Sequence, residues 1–304
     1  MGVSITMATI KKKTIGKQTY YYLEHTIRKH GAIQKKETYL GKKIPKNIED
    51  IKKQFLSDIY KEKWHSVLDK IKKGFLVEVK KIPASVESKQ KAAFVIKFTY
   101  NTQRIEGSKL TLRETANLLE DGITPKNKPL KDVKEAEQHK KVFYEMIEYK
   151  KDINLQIVLY WHKGLFELTK VDIAGKIREY QVIISGSKFI PPLAVGVYPL
   201  LNDFFSWYER SKKTFHPVEL AALVHLKIVT IHPFSDGNGR ISRLLMNFIL
   251  QRHGYPMLDI PYENRSSYYT ALERSQVKLN ESIFVQWFIK KYIKENKRYL
   301  KIEE

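Results

Sequence analysis

Nine residues from His232 to Arg240, HPFSDGNGR, bring several chemically capable side chains into one short connection. The connection joins two apolar stretches, AALVHLKIVTI before it and ISRLLMNFIL after it. Histidine has a pKa near neutrality and can accept a proton from a hydroxyl group. Asp236 offers the hard oxygen ligands that Mg²⁺ prefers. Any short polar turn could connect two helices, so this combination predicts a binding or catalytic loop.

The glycines and arginines of the stretch predict an anion site. Glycine lets the backbone approach a ligand closely, and the loop runs directly into a helix, whose N-terminal N–H groups and dipole attract negative charge. We expect Arg240 and Arg243 in the first turn of that helix, where positive charge is unfavourable unless an anion compensates. A polyphosphate is the simplest such anion, with Asp236 holding Mg²⁺ on it and His232 acting as general base. The loop is not a Walker P-loop, because the spacing G-x-x-x-x-G-K-[ST] is absent.

The longer segment HPFSDGNGRISR resembles the signature of the Fic (Fido) family, H-x-F-x-[DE]-G-N-G-R-x-x-R, at every defined position. The resemblance extends over roughly residues 90–290. Fic proteins are α-helical and mostly transfer AMP from ATP to a Ser, Thr or Tyr hydroxyl of another protein. The resemblance therefore implies a protein adenylyltransferase that uses ATP and Mg²⁺, with automodification as a second outcome.

The resemblance also implies a role for each matching residue. His232 would deprotonate the target hydroxyl, Asp236 would hold Mg²⁺ on the α- and β-phosphates, and Arg243 would bind the γ-phosphate. The anion-binding loop would consist of Gly237, Asn238, Gly239 and Arg240. The residues near the adenine would be Tyr268, Tyr269 and Gln276. Relatives that use ATP often have Asn at the position of Gln276, so transfer of another nucleotide stays open as an alternative.

The segment REYQVIISGSKFIPP, residues 178–192, has β-branched residues on both sides of SGS and predicts a hairpin with a glycine turn. It resembles the flap of Fic proteins, which pairs with the main chain of a target as an added strand. The resemblance assigns this target contact to Gly186, Ser187, Lys188 and Phe189.

The segment TQRIEG, residues 102–107, resembles the inhibitory motif of the family, [ST]-x-x-x-E-[GN]. The i, i+4 spacing places Thr102 and Glu106 on one helix face. The resemblance implies that Glu106 pairs with Arg243 and keeps ATP out of its productive position. Its place before the signature is similar to the class II arrangement, in which the inhibition is intramolecular. In some relatives the same Glu aligns a water molecule to remove AMP, so de-AMPylation is a second alternative.

Composition limits the remaining possibilities. The chain has 304 residues, 42% of them hydrophobic, and no cysteine, which excludes disulfides and a cysteine nucleophile and fits a cytoplasmic location. No charge-free apolar run of about 18 residues is present, so we expect no membrane contact, and we find no secretory signal. The net charge is +22, and residues 1–90 hold 21 Lys and Arg against 9 Asp and Glu. This excess suggests either a nucleic-acid-binding regulator or a solvated lysine-rich surface.

Hydrophobic periodicity predicts a mainly α protein with one hairpin in the middle of the chain and a small basic N-terminal β-ribbon. The resemblance implies that the helices form a Fic-type core and that the hairpin is its flap. We expect strands in QTYYYLEHTIRK and HGAIQKKETYLG, closed by Pro45, and a helix from Ile48 to about Leu76. Further helices are expected at 85–103, 110–120, 131–150, 153–167, 197–210, 217–230, 264–276 and 281–300, and after the signature. The predicted domains are 1–45, a basic β-ribbon; 46–150, a helical region with the inhibitory motif; 151–292, the Fic core; and 293–304, the end of the last helix.

Overall fold

The computed structural model describes residues 8–29 and 32–302. The chain forms two compact units, one up to Val67 and one from Leu68 onwards. The limits of these units differ from the predicted domain limits, which were drawn from composition and motif positions. The predicted domains stay predictions.

The first unit contains a three-stranded antiparallel sheet. Its strands are β1 (Thr9–Ile15), β2 (Gln18–Lys29) and β3 (Ala32–Gly41), in the order β1-β2-β3. The predicted ribbon therefore has a third strand, β1, which pairs with β2. Only two residues form the turn between them, because Ile15 pairs with Gln18. Gly16 has φ +60°, which a two-residue hairpin turn requires and which glycine adopts without strain. The long helix α1 (Ile48–Lys81) follows the sheet.

The second unit is helical and built around two central helices, α7 (Pro217–Ile231) and α8 (Asn238–Arg252). Both are buried on nearly all sides, as helices at the centre of a core are. The surrounding helices are α2 (Ala84–Ile105), α3 (Leu112–Asp121), α4 (Leu130–Glu148), α5 (Leu155–Phe166), α6 (Ala194–Ser211), α9 (Arg265–Val277) and α10 (Glu281–Glu295). Two 3₁₀ turns complete the unit, Tyr262–Asn264 and Lys297–Lys301.

The mainly α class is confirmed, and two details of the prediction are wrong. The helix expected at 281–300 is interrupted at Asn296, where α10 ends and the 3₁₀ turn begins. No strand forms within residues 178–192, all of which the structure describes. The turn at Gly186 is present, with φ +74°. Its two arms do not pair with each other: Pro191 and Pro192 lack the N–H groups that a ladder needs, and the N–H groups of Lys188 and Phe189 donate to side chains instead. In the described part of the chain, no helix is long and apolar enough to cross a membrane.

Candidate active site

His232 lies at the junction between α7 and the loop, in a left-handed conformation with φ +52°. Its backbone N–H still donates to Ile228 O at 2.9 Å, so the residue ends α7 while its side chain turns away from the helix. The Nδ1 atom lies 3.2 Å from Val229 O. A carbonyl only accepts, so Nδ1 carries the proton and Nε2 keeps its lone pair. Burial lowers the pKa of His232, and the ring is therefore neutral and able to act as a base at neutral pH.

The loop is held rigidly by contacts to its own ends. The Asn238 side chain accepts from Phe234 N at 2.9 Å and donates to Phe234 O at 2.8 Å, so it closes the loop on itself. Gly237 caps α8 with φ +81°. A Cβ atom at Gly237 would overlap the Phe166 ring, so no other residue fits there. Asn238 thus shapes the loop, and the first N–H groups of α8 lie where a helix leaves them without intrahelical partners.

A second histidine, His162 on α5, supports the loop from behind. Its ring stacks on Phe234 with 3.8 Å between centroids and 8° between planes. Gly175 N donates to Nδ1 at 2.9 Å, so Nε2 carries the proton and donates to Asp236 O at 3.0 Å. Burial lowers the pKa of His162 to about 4, which keeps the ring neutral, and the two hydrogen bonds fix its tautomer. His162 was not predicted from the sequence, because a lone histidine in an apolar helix carries no signal of its partners.

Arg240 is in the first turn of α8 and is buried among carboxylates of the protein itself. It pairs with Glu135, lies 3.0 Å from Asp236 Oδ1 and donates to Gln103 Oε1 at 3.3 Å. Burial opposes its charge, but Asp236 and the other carboxylates around it raise its pKa. The compensating anion that the sequence required is therefore supplied partly by Glu135 and Asp236. Neither Gln103 nor Glu135 was expected at the site.

Arg243 lies in the second turn of α8, one turn later than predicted, because the helix begins at Asn238. Its Nε donates to Thr102 Oγ1 at 2.6 Å, and its NH2 donates to Glu106 Oε1 at 2.5 Å. Its NH1 lies 3.3 Å from the hydroxyl of Tyr268. Burial opposes the charge of Arg243, but Tyr268 and Glu106 raise its pKa. The structure thus brings together both residues of the inhibitory motif with the arginine that the resemblance named.

Glu106 approaches the loop from the end of α2. It caps the C-terminus of α2, and its carboxylate reaches the first turn of α8 directly beside Gly239. A Cβ atom at Gly239 would overlap Glu106 Oε1 and come within 2.9 Å of an Arg243 nitrogen. Gly239 is therefore needed for the close approach of a carboxylate to Arg243. A phosphate oxygen and the Glu106 carboxylate would compete for the same arginine.

Asp236 is held by positive charge on both of its oxygens. Oδ1 accepts from Arg240 NH2 and from Gly237 N, and Oδ2 pairs with the ammonium group of Lys170. Burial opposes ionisation, but Arg240 and Lys170 hold the pKa of Asp236 at about 2. Asp236 is therefore ionised and pairs with two cationic side chains, Arg240 and Lys170. Lys170 was not recognised from the sequence, since it lies far from the signature.

The residues present fit Mg²⁺ bound together with phosphates. Within residues 8–29 and 32–302, no group of three or more His, Asp or Glu side chains could hold a metal by itself. Mg²⁺ commonly binds through one or two carboxylates plus substrate phosphates and water. Asp236 supplies one carboxylate, which already pairs with the cationic Lys170. The neighbouring loop would hold the phosphates, so the site offers the ligands that Mg²⁺ needs.

The flap segment turns at Gly186, where Ser187 N donates to Ile184 O at 3.1 Å. The Lys188 N–H donates to Glu273 Oε2 of α9 at 2.8 Å, and the Phe189 N–H donates to Ser187 Oγ at 3.1 Å. The backbone N–H groups of Lys188 and Phe189 therefore already have partners within the protein. A target strand would have to replace the Glu273 carboxylate at Lys188.

Arg178 connects the flap to His232, at the start of the loop. Its guanidinium donates to His232 O at 2.8 Å, to Tyr180 O at 2.9 Å and to Pro192 O at 2.6 Å. It is buried, and its backbone N–H donates to Pro233 O at 3.0 Å. One side chain therefore positions both arms of the flap and the backbone of the proposed base.

The three residues expected near the adenine differ in exposure. The Tyr268 side chain is 1% exposed and its hydroxyl contacts His225 Nε2 at 2.9 Å, so it lies behind Arg243. Tyr269 is 46% exposed, and its hydroxyl donates to Ile105 O at 3.0 Å. Gln276 donates to Thr230 Oγ1 at 3.1 Å, close to the end of α7. Of the aromatic pair, Tyr269 alone offers an exposed ring.

Comparison with known proteins agrees with this geometry. Residues 152–250 match the Fic/DOC family. The protein adenylyltransferase Fic of Drosophila sechellia is 36% identical over 178 residues, or 57% of this chain and 36% of the relative. The corresponding protein of Aedes aegypti is 34% identical over 207 residues, or 66% of this chain and 41% of the relative. The match therefore spans well under half the length of these relatives.

Solved structures show the same fold. A Fic-domain-containing signaling protein from Bacteroides thetaiotaomicron superposes with a TM-score of 0.70 at 25% identity, covering 78% of this chain and 99% of that one. Fic-1 (residues 134–508) from C. elegans gives a TM-score of 0.70 at 27% identity, covering 84% and 76%. These comparisons agree with the signature: residues 152–250 match the Fic/DOC family, and solved Fic structures share the helical fold.

Proposed function

We propose that this protein is an autoinhibited adenylyltransferase that moves AMP from ATP to a Ser, Thr or Tyr hydroxyl of a protein. The observation that carries the proposal is the position of two buried arginines in the first two turns of α8, directly after a glycine loop that begins at His232. The name protein adenylyltransferase Fic, which the relatives share, supports the same reaction.

The proposed reaction follows from the order of these groups. The hydroxyl oxygen attacks the α-phosphorus while His232 Nε2 takes its proton. The bond between the α-phosphorus and the oxygen bridging to the β-phosphate breaks, and pyrophosphate leaves. Arg243 and the N–H groups of the loop hold the phosphates. Mg²⁺, bound through Asp236, would neutralise phosphate charge and orient the leaving group.

The inhibited state follows from the pairing of Arg243 with Glu106. While the carboxylate occupies the arginine, a γ-phosphate lacks its partner and meets a negative charge instead. ATP would therefore bind with its α-phosphate misplaced relative to His232. Protein targets, including a second copy of this chain through automodification, would approach along the flap residues Gly186 to Phe189.

Incubation with ATP and Mg²⁺ followed by mass spectrometry tests the reaction. The protein itself and a host lysate are analysed for peptides that carry an added AMP group. Adducts on hydroxyl side chains support the proposal, and an adduct of different mass identifies another nucleotide donor. Loss of AMP from a pre-modified protein would indicate de-AMPylation through Glu106. A folded protein that gives neither addition nor removal contradicts the proposal.

The pH profile of AMP transfer is expected to reflect the lowered pKa of His232. Only the neutral ring accepts a proton, so the rate falls as the pH drops through this pKa. Because burial lowers the pKa from its ordinary value of 6.5, the acid limb should lie below pH 6.5. Initial rates measured between pH 4.5 and about 8 with saturating ATP would check this. An acid limb centred above pH 7 would contradict the assignment of His232.

A second candidate function is nucleic-acid binding through the N-terminal sheet. Residues 8–46 contain eleven Lys and Arg against two Glu. Residues paired across an antiparallel sheet share a face, and Tyr22 pairs with both Lys11 and Tyr39. The Tyr22 and Tyr39 rings are 5.3 Å apart, while Leu23 on the other face is buried. A basic face with aromatic rings is typical of single-stranded nucleic-acid binding.

A salt-dependent gel shift of the full chain with a single-stranded oligonucleotide tests this candidate. Binding should weaken linearly in log Kd against log salt concentration, because phosphate contacts release counterions. Tyr39→Ala should weaken binding by roughly tenfold, since stacking contributes about 1–3 kcal/mol per base. Tyr198→Ala is the matched control, because its ring is 55% exposed against 53% for Tyr39 but lies on α6. If the two variants weaken binding equally, or if no gel shift is seen at low salt, the positive charge of the sheet belongs to a solvated surface and not to a nucleic-acid site.

A further inference from the structure

The ammonium group of Lys170 lies at the carboxylate that is proposed to hold the metal. Lys170 follows the end of α5, where its backbone N–H donates to Phe166 O at 2.8 Å. Its Nζ pairs with Asp236 Oδ2, lies 3.3 Å from Glu135 Oε1 and 5.0 Å from the centre of the Phe166 ring. The side chain is about one third exposed, whereas the other cation at Asp236, Arg240, is buried.

The two oxygens of Asp236 differ in how firmly they are held. Oδ1 accepts from Arg240, which Glu135 and Gln103 fix in the core. Oδ2 contacts only the partly exposed Lys170 side chain among the contacts that the structure describes. A cation arriving from solvent can therefore reach Asp236 through Oδ2, and it must first remove the Lys170 ammonium.

We propose that Lys170 occupies the cation position of Asp236 in the nucleotide-free protein and that a divalent cation binds by exchange with it. This inference rests on the assignment of Asp236 as the metal ligand. The exchange does not strand a charge, because Glu135 Oε1 already lies within reach of the displaced ammonium group. Lys170 thus lowers the affinity of Asp236 for metal in the absence of nucleotide.

A purely supporting role for Lys170 predicts the opposite change in metal affinity. If Lys170 only supported the conformation of Asp236, its removal would loosen the carboxylate and weaken metal binding. If it competes with the metal, its removal leaves Oδ2 without a partner and strengthens binding. The direction of the change in metal affinity therefore distinguishes the two roles.

Binding of Mn²⁺ to the full chain without nucleotide, followed by the EPR signal of the free ion, tests the proposal. Lys170→Met should bind Mn²⁺ roughly tenfold more tightly than wild type, as expected for loss of a charge-assisted contact. Unchanged or weaker binding would overturn the proposal. Lys141→Met is the matched control, because Lys141 pairs with Glu167 instead of Asp236. Repeating the measurement in high salt removes long-range charge effects, which are screened, but leaves a direct exchange visible.

Two further measurements distinguish failure of the metal assignment at Asp236 from failure of the proposed exchange. Asp236→Ala should abolish Mn²⁺ binding in a protein whose circular dichroism is unchanged; if binding persists, the metal assignment in the proposed function fails. If binding is lost there but Lys170→Met is no tighter than wild type, only the exchange fails. In the wild-type protein, Mg²⁺ should increase the acylation rate of Lys170 several-fold, measured by mass spectrometry, because the amine loses its closer carboxylate partner, Asp236, and keeps only the 3.3 Å contact to Glu135. An unchanged rate counts against the exchange even if a variant does not fold.

Discussion

His232→Ala is expected to lower the rate of AMP transfer by roughly a hundredfold to ten-thousandfold, which is the usual contribution of a positioned general base. The structure gives the reason, because the Nδ1 proton is directed at Val229 O and the Nε2 lone pair is left for the hydroxyl. ATP binding should be nearly unchanged, since the phosphates are assigned to Arg243 and the loop. Initial rates of AMP incorporation and an ATP-binding isotherm check the two parts separately.

His162→Ala distinguishes a base from a residue that supports the loop. His162 contacts the backbone of Asp236 and the ring of Phe234, so its loss should disturb the loop and weaken ATP binding as well as the rate. His232→Ala should change the rate alone. A His232→Ala variant that transfers AMP within a few-fold of wild type would remove His232 from the proposed reaction.

Glu106→Gly is expected to raise both automodification and target modification by on the order of tenfold or more. A charge-assisted hydrogen bond contributes about 1.5–3 kcal/mol, and about 1.4 kcal/mol corresponds to a factor of ten. Removal of the carboxylate frees Arg243 NH2 for the γ-phosphate. Arg243 should stay oriented, because Thr102 Oγ1 and the Tyr268 hydroxyl still contact it. Initial rates of AMP incorporation at saturating Mg²⁺ provide the measurement.

The arginine variants supply the control for this prediction. Arg243→Ala removes the inhibitory contact and the phosphate ligand together, so it should not reproduce the activation. The double variant Glu106→Gly/Arg243→Ala should stay poorly active for the same reason. Glu106→Gln, which keeps the size of the side chain but not its charge, should give a smaller activation. A folded Glu106→Gly protein no faster than wild type would mean that TQRIEG is only the end of α2.

The main features of the site were predictable from the sequence because they are local. His232, Asp236, Gly237 and Arg240 lie within nine residues, so the change from helix to glycine loop to helix sets their relative positions almost without reference to the rest of the chain. The helical class was also predictable, since burial of an apolar face requires its residues to recur at helical spacing. Thr102 and Glu106 needed the family resemblance as well, because a Thr–Glu spacing on one helix has many ordinary causes.

The surroundings of these residues were decided only by the tertiary structure. Glu106 meets Arg243 from 137 residues away, Glu135 meets Arg240 from 105, and Lys170 meets Asp236 from 66. Such pairs leave no periodicity in the chain, because a charged residue on a helix or turn is equally compatible with a solvated position. The unpaired arms of the flap have a similar cause: β-branched residues favour extended backbone, but Arg178, Glu273 and Ser187 bind the main-chain groups there. By itself the sequence determined which candidate groups lie together in one loop; packing of α2, α4 and α5 around the start of α8 decided which charges those groups face.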